Sequence, residues 1–442
     1  MTKIIRVIKV TTVREYTVFP MDVSATVYPY FATKTIHHSF TMEVSLDRDV
    51  DPDRLQTVVE RMIERFPTLF VRIRKGAFGY KLEHIHDASK FIMPRPEILN
   101  LPYDLDGNEP LMRITYRANR LAVECFHSVT DGSGAITLLK SIVAEYYRTL
   151  GEEIPSTCGV LSPDDEPKET ETEDSFLTRA VKGGKTVGRS GKAAYQFEPK
   201  GPFETWHQTE LSMPLADIKP VAKAAGATLT EYIVALYLYA FYVAAKARKS
   251  KKPIIMSVPI NLRPVFESET LRNFSLFFLA SVPKGDDVTL EQILENVKRE
   301  FKQGTEKDLL QRMINTNAAQ QQMAAFRALP RVLKRRVLRI GGALFAERLF
   351  TSTLSNLGIF NVPDELSGHI QTFHAVLGQV PTNHILTTAY CYNGTLGLMF
   401  SSRLASREIE RSVRRLLQER GVRTTMRDNA EDIPPFTAET QA

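Results

Sequence analysis

Hydrophobic and polar positions along this chain switch period sharply, and the switches mark its elements. Leu121, Val123 and Cys125 alternate with Ala122, Glu124 and Phe126, which predicts a strand. Ten residues on, Ile136, Leu139, Ile142, Val143 and Tyr146 fall at helical spacing. Earlier, Ser39 to Leu46 alternates as a strand, and Leu55, Val58, Val59, Met62 and Ile63 make one helix face between Asp51 and Phe66. Leu69 to Ile73 and Tyr80 to Ile85 read as strands. Met112 to Tyr116 forms a hairpin with Leu121 to Phe126. The first part of the chain is thus an α/β layering with helices against a mixed sheet.

The pattern breaks between Pro155 and Thr205. Asp164 to Asp174 holds seven acidic residues and one lysine, and basic residues among glycines follow. This reads as a connecting segment. Regular patterning resumes with a strand around Trp206 to Met213. Thr228-Leu-Thr-Glu231 is a capping box opening an apolar helix. Strands follow at Ile254 to Val258, Phe350 to Gly358 and His369 to Leu377. Thr387 to Phe400 forms a hairpin around Asn393-Gly394, and a last helix from about Arg407 to Arg420 stops at Gly421. The expected organisation is residues 1–160 as an N-terminal lobe, 161–204 as an inter-lobe segment and 205–442 as a C-terminal lobe.

Composition narrows the picture only a little. A chain of 442 residues exceeds one ordinary core, and 43% hydrophobic with 24% charged residues is globular composition. Net charge of +6 admits an anionic partner without choosing one. No apolar run reaches membrane-spanning length, the N-terminus lacks a signal-peptide pattern, and three scattered cysteines suggest no disulfide framework; a cytoplasmic location is expected. Gly184-Lys185-Thr186 fails as a phosphate loop because position 179 is Arg, and no Gly-x-Gly-x-x-Gly or Gly-x-Ser-x-Gly occurs. No aromatic–basic module points to nucleic acid. His84 and His86 share a strand face, but the sequence shows no third ligand beside them, so no metal is expected.

The chemistry concentrates where the Leu121 strand gives way to the helix. There His127-Ser-Val-Thr-Asp131-Gly132 sits at a strand's carboxyl end and a helix's amino end. Free backbone N–H groups gather at such a corner, and a neutral imidazole suits proton removal near pH 7. His127-x-x-x-Asp131-Gly132 resembles the HxxxDG motif of the coenzyme A-dependent acyltransferase superfamily. Asn261-Leu-Arg263-Pro264 and Ser355-Asn356-Leu357-Gly358 resemble the NLRP-like and SNLG-like segments of its alcohol acetyltransferase and condensation-domain members. The three anchors occur in the family's order.

The resemblance implies two chloramphenicol-acetyltransferase-like lobes, each a mixed sheet flanked by helices, with an active-site tunnel between them. It implies His127 as general base, Asp131 turned away from substrate onto Arg263, and no permanently bound cofactor. Acyl-coenzyme A is the expected co-substrate and a small alcohol, lipid or amine the expected acceptor. Gly132 N–H, Asn356 and Ser355 are candidates for holding the oxyanion or lining the tunnel. Condensation domains usually carry His where this chain has Phe126, and the plant-type DFGWG segment is absent; both departures favour O-acyl transfer. The alternatives are a free-standing condensation-type enzyme using carrier-bound donors, or a catalytically silent binding protein. Arg327, Arg331, Arg335 and Arg339 recur every four residues; on a helix kinked or started near Pro330 they make a basic stripe suited to an acidic carrier or anionic lipid.

Overall fold

In the computed structural model the described residues are 17–433, apart from 33–37, 97–99, 101, 106–107, 189–192, 198–206, 324–326, 342–347, 379, 381–382, 405 and 429–430. Two large sheets dominate. The first has five strands in the order Ile370–Leu377, Ser39–Leu46, Arg120–Phe126, Met112–Arg117, Ile92–Pro94. All its neighbours are antiparallel except the last pair. Phe40, Met42, Val44 and Leu46 alternate toward the helices Pro52–Arg65 and Gly132–Arg148, and join Leu121, Val123 and Cys125 in one core. Thr41, Glu43 and Ser45 take the opposite face, as a two-residue period requires. A small sheet of Val18–Pro20, Tyr80–His84 and Val71–Lys75 stands beside it.

The second large sheet has eight strands in the order Ser275–Ser281, Ile255–Asn261, Ser352–Ile359, Ile385–Tyr392, Thr395–Ser402, His207–Pro214, Thr425–Asp428, Glu431–Ile433. Parallel and antiparallel pairs mix in it. The helices Leu229–Ala247, Leu290–Gly304 and Glu408–Gln418 cover one face and share its core. Thr228 and Glu231 form the capping box, and Asn393 and Gly394 both take positive φ in the hairpin turn. Gly421, at φ 77°, follows the last helix. The chain is therefore two-lobed and α/β. No single helix among the described residues is long and apolar enough to cross a membrane.

Two features depart from a simple reading in halves. Strand Ile370–Leu377 leaves the second half and hydrogen-bonds along Ser39–Leu46, so residues 205–442 lend an edge strand to the first sheet. The acidic run, read as a connecting tract, is packed against both halves, the Glu171 carbonyl accepting from Leu271 N of the second at 2.8 Å. Glu171 accepts two hydrogen bonds from buried Arg65, at 2.6 and 2.9 Å, and Asp174 accepts from the Val23 backbone N–H at 2.9 Å.

Candidate active site

Strand Arg120–Phe126 ends in a turn of three residues, and helix Gly132–Arg148 starts from Asp131. Asp131 Oδ1 caps that helix, accepting from the N–H groups of Ser133 (3.1 Å) and Gly134 (3.3 Å). A Cβ on Gly134 would overlap Thr130 Oγ1 and the Leu271 carbonyl, so no larger residue fits. A Cβ on Gly132 would lie 2.9 Å from Leu357 Cδ2, which brings the Ser355–Gly358 segment directly onto the motif.

The second oxygen of Asp131 looks away from the turn. It accepts from Arg263 Nη1 and from Phe274 N, each at 2.9 Å. Arg263 is held in turn by the carbonyls of Thr270 (2.7 Å) and Arg272 (2.6 Å) and by Asn261 Oδ1 (3.2 Å). Burial alone raises the Asp131 pKa; the Arg263 charge and hydrogen bond, with the Phe274 and Gly134 N–H groups, outweigh it and hold the carboxyl below its usual range. The carboxylate is thus a brace, ionised and fully engaged.

Residues Thr270 to Phe274, from the second half of the chain, form the mould against which the motif turn is cast. Thr130 Oγ1 donates to the Leu271 carbonyl at 2.6 Å, and Phe274 N donates to Asp131. Asn273 Oδ1 lies 3.1 Å from His127 Nδ1, while Asn273 Nδ2 donates to Asp22 Oδ2 at 3.3 Å. With its amide nitrogen committed to Asp22, Asn273 presents only an acceptor to the ring. Nδ1 therefore carries the imidazole proton, and Nε2 bears the lone pair. Tyr28 stacks on the ring at 4.7 Å between centroids and Phe40 meets it edge-on at 5.1 Å. Burial lowers the His127 pKa, and the nearby Asp131, Asn273 and Asp22 offset only part of that shift. The ring is consequently neutral near pH 7. Burial also lifts the Asp22 pKa to about 6 against the opposing charge of Arg272.

Asn273, Asp22 and Tyr28 were invisible in the sequence. Asp22 and Asn273 are separated by 251 residues, and neither sits in a recognisable motif. The one hint was the polar pair Arg272-Asn273 just ahead of the apolar strand Ser275–Ser281.

The remaining candidates are placed differently. Asn356 is exposed; its Nδ2 donates to Thr230 Oγ1 at 2.7 Å and its Oδ1 accepts from Gly358 N at 3.0 Å. Those bonds face the second lobe's helix, and it is Leu357 that meets the motif. Ser355 is half-buried and pairs in register with Thr388. The arginine stripe is not one continuous face, because the helix begins at Arg331, after Pro330. Arg331 lies over the Tyr80 ring at 5.3 Å, whereas Arg335 is exposed beside exposed Val332, Leu333 and Val337. Arg327 precedes the break, and the Arg339 side chain lies outside the described residues.

A cleft of about 930 Å³ opens between the polar faces of the two large sheets, with Glu43, Arg95, Arg120, Glu210, His374 and Tyr390 in its walls. His127 is not among its lining residues. The wall reaches Val376, which pairs with Thr41, and Thr41 is two residues from Ser39, the partner of Phe126. The cleft thus stops roughly 7 Å along the strand from the residue preceding His127.

No protein-family model and no curated protein matches this chain. Solved structures do. Polyketide synthase associated protein 5 from Mycobacterium tuberculosis shares 15% identity over 90% of this chain and 98% of its own, with a TM-score of 0.57. The starter condensation domain of rhizomide synthetase RzmA, bound to C8-CoA and Leu-SNAC, shares 13% over 91% and 94%, with a TM-score of 0.57. TRI3 trichothecene 15-O-acetyltransferase from Fusarium sporotrichioides shares 11% over 90% and 94%, with a TM-score of 0.56. At such identities the likeness is one of fold. The chain has the two-lobed fold that these condensation-domain and acetyltransferase structures share.

Proposed function

We propose that this protein transfers an acyl group from an acyl-coenzyme A thioester to a hydroxyl, or an amine, without forming an acyl-enzyme. The observation that carries this reading is the His127 ring: Nδ1–H is spent on Asn273, and Nε2 is left basic at a strand-to-helix corner between two lobes. Nε2 takes the acceptor's proton as its oxygen attacks the thioester carbonyl carbon. Collapse of the tetrahedral intermediate breaks the C–S bond, and the same nitrogen returns the proton to the departing thiolate. Gly132 N–H, first in its helix and without an intrahelical acceptor, is the proposed oxyanion donor. Asp131 and Arg263 position the turn and do not touch substrate. Asn356 has no part in this version, since its amide serves the Thr230 contact.

The O-acetyltransferase and the C8-CoA-bound condensation domain among the neighbours support the donor class and leave the acceptor open. The polyketide synthase associated neighbour supports a carrier-bound thioester as the alternative donor. The test is thiol release from acyl-coenzyme A donors of two to sixteen carbons against an alcohol and amine panel. His127→Ala is expected to cut turnover by roughly 10²–10⁴ with folding intact. Unchanged transfer in that variant removes His127 from the mechanism. Release only from carrier-bound thioesters moves the reading to the condensation type, and no release from any donor leaves a binding protein.

A further inference from the structure

His84 ends strand Tyr80–His84, and His86 follows two residues later, so both rings project from the same side of the chain while Ile85 is buried on the other. The third donor missing from the sequence comes from across the fold. Glu64, near the end of helix Pro52–Arg65, brings Oε1 to 2.7 Å from His86 Nδ1 and 3.7 Å from His84 Nε2. One donor atom from each of the three residues fits within 4.8 Å of the other two. The rings stand edge to face at 4.4 Å.

Two details separate this group from a chance surface cluster. The His84 side chain is only 2% exposed, yet its Nε2 has no hydrogen-bond partner among the described residues. A buried ring nitrogen is rarely left so without a ligand. Its other nitrogen, Nδ1, lies 3.0 Å from the Pro67 carbonyl, which accepts its proton and so turns the lone pair of Nε2 toward Glu64. A backbone carbonyl holding the far nitrogen is the usual outer support of a metal-bound imidazole.

We propose that Glu64, His84 and His86 form a binding site for a zinc-like divalent cation, distinct from the His127 corner. Tetrahedral metal–nitrogen and metal–oxygen bonds of about 2.0–2.1 Å place neighbouring donors about 3.3–3.5 Å apart. The His84–Glu64 separation is already close to that. The His86–Glu64 contact opens by under about 1 Å through rotation of two side chains that are 48% and 69% exposed. The fourth position faces solvent and takes water. Two imidazoles with one carboxylate favour zinc, cobalt, nickel or copper over magnesium or calcium, which prefer oxygen sets. Bound metal ties the end of a helix to the end of a strand whose other neighbour, Val18–Pro20, leads into Asp22. The site is therefore a clasp on the small sheet. It owes nothing to the acyl-transfer reading.

The experiment uses the untagged full chain, stripped with chelator and titrated with Zn²⁺ by calorimetry and with Co²⁺ by visible absorption. One equivalent is expected to bind, with a thermal midpoint raised by about 3 °C at saturating zinc. Glu64→Gln and His86→Asn alter exposed side chains, so both variants keep the fold. Each is expected to weaken zinc binding by about 100-fold or more and to lose the thermal shift. His84→Gln is expected to behave alike, and if it unfolds the other two variants still decide. Absence of a saturable equivalent, or wild-type binding in Glu64→Gln and His86→Asn, overturns the proposal.

Discussion

Replacing Arg263 by Met isolates the brace from the catalytic base, and its cost can be worked from the contacts. Asp131 and Arg263 side chains are 7% and 13% exposed, and their 2.9 Å ion pair joins the two halves of the chain. Removing one partner of such a pair costs about 3–5 kcal/mol, because the remaining charge stays buried. Asp131 keeps three backbone donors, from Ser133, Gly134 and Phe274, which pulls the figure toward the lower end. The carbonyls of Thr270 and Arg272 lose their guanidinium donors, which pushes it back up by about 1 kcal/mol each. Urea unfolding at pH 7, followed by circular dichroism, should therefore show Arg263→Met less stable by about 3–5 kcal/mol.

The pH dependence provides an internal check. Asp131 is held below its usual pKa, so its contribution is complete above the unfolded carboxylate range and is lost as pH falls through the folded value. The gap between wild type and Arg263→Met should accordingly hold from pH 7 down to about 4 and narrow only below that. Asp131→Asn retains the helix cap but not the charge. The double variant should then show a coupling of about 2 kcal/mol or more. A loss under about 1 kcal/mol at pH 7, or a gap that does not narrow below about pH 4, refutes the argument that this ion pair braces the turn.

Two further variants test the base and the second core. Asn273→Ala removes the acceptor that orients His127, and is expected to lower kcat roughly 10- to 100-fold, the worth of one well-placed hydrogen bond, with little change in thioester KM. In wild type the acid limb of kcat/KM should lie below the ordinary histidine range, since activity disappears only as pH falls through the lowered His127 pKa; a limb at or above that range counts against a desolvated base. Glu410 is fully buried, and among the described residues neither of its carboxylate oxygens has a hydrogen-bond partner, so burial raises its pKa to about 7. A folded pKa above the unfolded one stabilises below the unfolded value and loses that benefit as pH rises through 7. Glu410→Gln should therefore gain about 2 kcal/mol on wild type between pH 5 and pH 8, measured by denaturant midpoints at both pH values.

The local elements were legible because each depends on neighbours in sequence. The Thr228–Glu231 box, the Asn393-Gly394 turn and the alternation through Phe126 each place their own backbone. The motif turn was legible for the same reason, since Asp131 caps the helix it precedes. What surrounds that turn was not. Whether Asn273 accepts from a ring 146 residues away depends on how two lobes dock, and no periodicity encodes docking. For the arginines at every fourth position Pro330 was itself a legible break, and the helix begins just past it, at Arg331, with Arg327 before it.

The same distinction explains why the polar strand faces mattered more than the sequence suggested. Glu43 and Glu210 take polar positions of alternating strands, and both line the inter-lobe cleft, Glu43 paired with Arg95 at 2.5 Å and Glu210 with His374 at 3.3 Å. His374 belongs to the strand that crosses from the second half into the first sheet. Alternation gives a strand two faces without saying what lies opposite each. Here the face away from the helices meets the other lobe, and the Glu210–His374 pair crosses the gap while Glu43 and Arg95 pair on one side of it. The crossing strand thus sets the spacing of the cleft, and through Val376 its reach toward His127.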